Sequence, residues 1–241
     1  YLMIFIFSLL VAIMVYLLDQ RCMESTVWER GNRRLFCTYL GKEYSEEEVK
    51  RAIATFYHGK YRKSDNAVKE AAVFLSKNMI VGWFCGKSEF GPRALGHRSI
   101  IANPCNRDMK DILNRRVKFR EDFRPFAPIF LYEETDKWFG EKIDNPYMLI
   151  VKEVLPEVRE QIPAVVHVDN TARLQSVKRE QNPKVYDLIV EFGKITGVSV
   201  ILNTSFNVKG EPIVESPEDA IWCFLKTDID VLVLEDYILE K

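Results

Sequence analysis

Cysteine and histidine are scarce in this chain, and their spacing is wrong for metal. The five cysteines (Cys22, Cys37, Cys85, Cys105, Cys223) are odd in number and include no Cys-x-x-Cys pair. That argues against a zinc site and a disulfide framework, and a reducing, cytosolic setting is the expectation. There are three histidines (His58, His97, His167), with no His-x-His or His-x-x-x-His. No metal held by imidazoles is expected, although carboxylates or substrate phosphates remain able to hold Mg²⁺. Neither sign of charge dominates: 34 Lys and Arg stand against 35 Asp and Glu, for a net −1. No global field therefore draws the chain to nucleic acid or membrane. Repeats and low-complexity tracts are lacking, and long apolar runs are lacking everywhere but the start.

There, residues 1–18 are apolar apart from Ser8, at the lower limit for a membrane-spanning helix. No basic n-region and no small-residue cleavage site mark it as a secretory signal. No initiator Met opens it, and the chain reads as a fragment of something longer. Residues 1–21 read as a membrane anchor, as an element of an upstream domain, or as faulty translation. Residues 22–42 read as a connector and 43–241 as one domain.

That domain alternates strand and helix signals. Ser45-Glu46-Glu47-Glu48 is a capping box, followed by Val49, Ile53 and Phe56 at helical spacing. Ser64-Asp65 opens a second helix, Asn182-Pro183 a third that ends near Gly197, and Ser216-Pro217 the last. The runs at 80–84, 126–131 and 198–202 read as buried strands, and 229–234 with 237–239 as a terminal pair. Val117 to Arg120 alternates and predicts a strand with Val117 and Phe119 inward, Lys118 and Arg120 outward. Residues 165–169 alternate too, setting His167 and Asp169 on one face. The expected class is α/β (α+β).

Four segments carry chemistry. Residues 88–99 hold Arg93, His97, Arg98 and Ser99 among Gly and Pro, which let a backbone turn sharply near a ligand. Arg supplies a planar fork of donors suited to phosphate or carboxylate. From Lys87 to Arg124 ten Lys or Arg face five acids, which suggests an anionic ligand or a solvated basic face. Lys118, Arg120 and Arg124 form a second cluster, or else a basic edge strand. His167, Asp169 and Arg173 form a third, where His167 and Asp169 share a proton or close a hydrogen-bonded turn. Asn203 to Pro212 follows directly from a buried strand, where ligands of open α/β sheets sit. Its Asn203, Ser205, Asn207 and Lys209 suit a phosphate, or a polar loop.

Taken jointly, Glu-Phe-Gly-Pro-Arg-Ala-Leu-Gly-x-Arg-Ser (89–99), Lys-x-Arg-Glu-x-Phe-Arg-Pro-Phe-Ala-Pro (118–128), His-Val-Asp-x-Thr-Ala-Arg-x-Gln (167–175) and Leu-Asn-Thr-Ser-Phe-Asn-x-Lys-Gly-Glu-Pro-Ile (202–213) resemble the carboxy-terminal domain of O-carbamoyltransferases of nodulation-factor and antibiotic biosynthesis. The resemblance implies a YrdC-like fold, a twisted open mixed sheet flanked by helices. It implies ATP with Mg²⁺, carbamoyl phosphate as co-substrate, and carbamoyl-adenylate as product, for O-carbamoylation of a hydroxyl. An actin-like amino-terminal transfer domain, upstream or in trans, is the implied partner, and nucleic acid is not. By the family's Lys-x-Arg and Ser-x-Asn pairs, Lys118, Arg120, Ser205 and Asn207 hold the nucleotide, with Arg124, Arg173 and Asn203 beside them. Arg93 and Arg98 are candidates to clamp carbamoyl phosphate, converging if the chain turns at Gly96, and His167 is a candidate general base. A module that grips RNA through residues 87–124 and a non-catalytic remnant are the competing readings.

Overall fold

The computed structural model describes residues 38–241; the apolar segment at the start and most of the connector lie outside them. Nine strands form one sheet: β1 (Lys60–Lys63), β2 (Val81–Phe84), β3 (Arg98–Ala102), β4 (Ala127–Leu131), β5 (Ile150–Glu153), β6 (Thr171–Val177), β7 (Val200–Ser205), β8 (Val231–Leu234) and β9 (Tyr237–Glu240). Their order is β1-β9-β8-β2-β3-β7-β4-β6-β5. The pairs β2–β8 and β4–β6 are parallel and the others antiparallel, so the sheet is mixed and open. Six α-helices flank it: α1 (Glu46–Phe56), α2 (Ala67–Ser76), α3 (Met109–Leu113), α4 (Thr135–Phe139), α5 (Pro183–Thr196) and α6 (Pro217–Lys226).

The helix ends fall where the sequence places its caps, except that the second helix starts at Ala67 behind Asn66 rather than at Ser64-Asp65. Ser45 and Glu48 close a capping box on α1, and Ser216 and Asp219 another on α6. Asn66 caps α2; Asn182 caps α5, which ends on Gly197 at φ +78°, a conformation Gly adopts without cost. One layer sets α1 and α6 against Phe84, Ile100, Leu202 and Leu232. The other sets α2 and α5 against Trp83, Ile101, Ile201 and Val233. Helices on both faces explain why the central strands read as unbroken apolar runs: successive residues enter opposite cores.

Two expectations fail. Residues 117–120 are not a strand. A π-helical turn, Asn114–Lys118, continues α3, and Phe119 sits in the left-handed region at φ +47°. Phe119 is thereby exposed at 54%, and Lys118 is buried at 4%, the reverse of the alternation. Residues 165–169 form irregular turns and bends, and the strand begins only at Thr171. The expected terminal hairpin is present as β8–β9. Among the described residues no helix is long and apolar enough to cross a membrane.

Candidate functional site

Register brings the ends of four central strands together at one end of the sheet. Phe84 closes β2 opposite Arg98, Ser205 closes β7 opposite Ser99, and Ala127 opens β4 opposite Asn203. Three well-separated stretches of chain meet over that end.

The first is the loop from Cys85 to His97. It wraps around one carboxylate: Glu89 Oε1 accepts the amides of Leu95 (2.7 Å), His97 (2.7 Å) and Arg98 (3.3 Å). Asn203 Nδ2 donates to the Ala94 carbonyl (2.9 Å) and Gln175 Nε2 to that of Leu95 (3.0 Å). The turn at Gly96 is present at φ +106°, and a Cβ there would meet Val185 at 2.8 Å. Tyr39, in the segment read as connector, bridges to Glu89, donates its hydroxyl to Leu95 O (3.0 Å) and stacks on His97. Arg93 is exposed at the loop tip.

The second stretch is organised by Asn114, which is fully buried. Its amide donates to the carbonyls of Asp122 (3.3 Å) and Arg124 (3.1 Å), and its oxygen accepts from Arg120 Nε (2.8 Å). Arg120 also lies over the Phe126 ring at 4.8 Å. The left-handed Phe119 turns Lys118 the other way, into the strand ends. There Nζ donates to the Ser205 carbonyl, to Asn207 O (2.9 Å) and to Asn207 Oδ1 (3.0 Å). Ser205 Oγ donates to the same Oδ1 at 2.7 Å. Burial, and next Arg120, pull the Lys118 ammonium down to about 7.

The third stretch is β6, which carries Arg173. Its Nε is buried and has no hydrogen-bond partner among the described residues. Burial, and then the nearby Arg93, hold its guanidinium below the usual range. Arg120 is lowered by burial first and then by Arg124, with Arg173 contributing. Arg93, Arg120 and Arg173 line one cleft with Met148, Asn203, Thr204 and Ser205; its cavity volume is about 110 Å³, and among the described residues no carboxylate stands in its wall. Three converging guanidiniums without a facing carboxylate make a site for an anion.

The remaining candidates lie apart from the cleft wall. Arg98 opens β3 fully buried, over the Phe84 ring at 3.5 Å. It donates to the carbonyls of Cys85, Gly86, His97 and Glu215. It ties the loop to the sheet and does not converge with Arg93, because as the first residue of a strand it points into the core. Arg124 is exposed and pairs with Glu121 at 3.1 Å. His167 and Asp169 are joined through Thr171, whose hydroxyl donates to Asp169 Oδ1 (2.7 Å) while His167 Nδ1 lies 3.1 Å from the Thr171 hydroxyl oxygen. That hydroxyl proton is committed to the carboxylate, so Nδ1 carries the imidazole proton and Nε2 is left as the acceptor. Burial lowers the His167 pKa.

Sequence reasoning missed Asn114 and the roles of Glu89 and Gln175. The latter two stand inside the recognised motifs; Asn114 follows a short helix and carries no signal of its own.

An α/β protein with an open mixed sheet and an arginine-lined cleft at the ends of its central strands is the class these features define. Residues 72–241 match the family described as Carbamoyltransferase C-terminus, and the chain belongs to it. It is 42% identical over 205 residues to nodulation protein NolNO of Sinorhizobium fredii, covering 84% of this chain and 30% of that protein. It is 41% identical over 214 residues to nodulation protein NolO of Bradyrhizobium diazoefficiens, covering 86% of this chain and 39% of that protein. The chain thus spans 30–39% of these relatives' own length. Among solved structures it resembles full-length HypF in the phosphate- and nucleotide-bound form, with TM-score 0.51 and 23% identity, over 71% of this chain and 25% of that one. That likeness is one of fold.

Proposed function

We propose that this domain binds ATP and carbamoyl phosphate in the cleft and forms carbamoyl-adenylate, the activated donor for O-carbamoylation of a hydroxyl. One observation carries the reading: three guanidiniums from separate parts of the chain line a cleft that has no acid in its wall, beside the Lys118–Ser205–Asn207 network. Water takes up the phosphoryl group of carbamoyl phosphate, the bond from that phosphorus to the carbamoyl oxygen breaks, and phosphate leaves; an oxygen of the carbamate so freed bonds to the α-phosphorus of ATP, the bond from that phosphorus to the bridging oxygen breaks, and pyrophosphate leaves. The step needs no protein nucleophile. Arg120, Arg173 and Lys118 neutralise the phosphates and stabilise charge developing on the leaving group, and Arg93 holds the carbamoyl phosphate. Mg²⁺ suits this wall only as a passenger on the triphosphate oxygens, since no carboxylate faces them; bound there, it supplies further charge neutralisation. His167, with Nε2 free to accept, is the candidate general base. The transfer step is assigned to a further domain, in keeping with the greater length of the relatives.

The test is ATP–pyrophosphate exchange dependent on carbamoyl phosphate, run beside ATP binding by calorimetry. Exchange is the expected result. ATP binding with no exchange would leave a nucleotide site and remove the activation step from this chain.

Glu89→Ala tests how the loop is held. It strips the shared acceptor from three backbone amides, so Arg93 loses its placement. ATP binding in the presence of carbamoyl phosphate is expected to weaken about as much as in Arg93→Ala, roughly 1.5–3 kcal/mol. The double variant should be little worse than either single one. Fully additive losses would separate Glu89 from Arg93.

A further inference from the structure

The cleft holds one acceptor that its neighbours leave unused. Asn203 is 1% exposed, and its Oδ1 is buried with no hydrogen-bond partner among the described residues. Its orientation is fixed by two acceptors on the opposite atom: Nδ2 donates to Ala94 O (2.9 Å) and to Gln175 Oε1 (3.4 Å). Gln175 is itself locked, because its Nε2 donates to Leu95 O at 3.0 Å and so turns its oxygen toward Asn203. Flipping the Asn203 amide would set oxygen against two oxygens. Oδ1 is therefore a fixed acceptor in a wall whose charged groups, Arg93, Arg120 and Arg173, only donate.

A phosphate cannot satisfy it, since ionised phosphate oxygens only accept. The missing partner is an N–H or O–H lying close to an anionic group. A carbamoyl group has that arrangement: its amino nitrogen sits on the same carbon as the oxygens the guanidiniums attract. In ATP the hydroxyl and amino donors lie farther from the phosphates. We propose that Asn203 Oδ1 accepts a hydrogen bond from the carbamoyl amino group and selects carbamoyl phosphate over acyl phosphates without an N–H. The assignment rests on the activity proposed above, and it moves Asn203 from the nucleotide to the co-substrate. The oxygen is sealed from bulk water, so a donor that reaches it meets no competing solvent. A site built around a substrate N–H discriminates because the analogue leaves a buried polar atom unpaired.

Carbamoyl phosphate and acetyl phosphate differ here by an amino group against a methyl, which makes them the probes. Exchange kcat/KM is measured for both with the full chain and with Asn203→Leu, alongside ATP affinity without co-substrate. The expected result is a wild-type preference for carbamoyl phosphate of at least about 10-fold that falls roughly 10- to 100-fold in the variant. ATP affinity should hold within about twofold. Parallel loss for both acyl phosphates, or an equal loss of ATP affinity, overturns the assignment while leaving the activity standing. Absence of exchange with either compound in the wild type brings down the activity itself, and the assignment with it. Should Asn203→Leu fail to fold, the smaller Asn203→Ala carries the test by removing Oδ1 without adding bulk: a several-fold drop in preference supports the proposal, and an unchanged preference refutes it.

Discussion

Arg173→Met is expected to make the ligand-free protein more stable and ATP binding weaker. The cleft sets Arg173 near Arg93 and Arg120 without an acid in the wall. Like charges in a partly desolvated cleft repel, and methionine keeps much of the packing volume while removing the charge. Relief on the order of 1 kcal/mol corresponds to about 2–4 °C in melting temperature for a domain of this size. The same change deletes a charge-assisted contact to phosphate, weakening ATP about 10- to 100-fold. Opposite signs in the two readouts are what distinguish a site assembled for an anion from a structural cluster. Salt near 1 M should narrow the stability difference by screening the repulsion. A variant that melts lower and binds ATP as before would defeat this account.

A second large effect belongs to Lys118. Its pKa in the folded protein lies at about 7, against 10.5 for an unhindered lysine. Below pH 7 the side chain is protonated whether the chain is folded or not. Above pH 7 the unfolded chain keeps the proton and the folded one sheds it. The unfolded state then binds more protons, so this group makes stability rise with pH, by up to about 1.4 kcal/mol per unit. The cleanest window is pH 7 to about 8.5. At higher pH the buried thiols of Cys85 and Cys223, whose pKa values burial raises, act in the opposite sense.

ATP reverses the preference at Lys118. A bound triphosphate favours the ammonium, so binding above pH 7 should draw in close to one proton and weaken by up to about tenfold per pH unit. Calorimetry at pH 8 in two buffers of different ionisation enthalpy reads the proton directly. Lys118→Met should abolish both the uptake and the pH trend in stability. No proton uptake at pH 8 in the wild type would place Lys118 outside the nucleotide's field.

Local chemistry was legible from composition and order alone. Capping boxes at Ser45 and Ser216, the Asn182-Pro183 start and the Gly197 stop mark helices because their causes lie within a few residues. The run from Val198 to Leu202 announces a strand buried on both faces. The motif order announces the family, and it collects Arg93, Arg120, Arg173, Asn203 and Ser205, all of which line the cleft. What the sequence by itself determined was therefore the elements with local signals and the cast of polar residues. Only the tertiary structure decided which of them face the cleft together. Alternation put Lys118 beside Arg120, but a π-helical turn and a left-handed Phe119 send one into the strand ends and the other to the cleft. Arg98 reads like Arg93 until strand pairing buries it. Glu89, Asn114 and Gln175 act by accepting or donating hydrogen bonds across gaps of up to 80 residues. The partners of Glu89 and Asn114 lie 6 to 10 residues away on irregular turns and that of Gln175 lies 80 away across the sheet, so no periodic pattern along the chain records them.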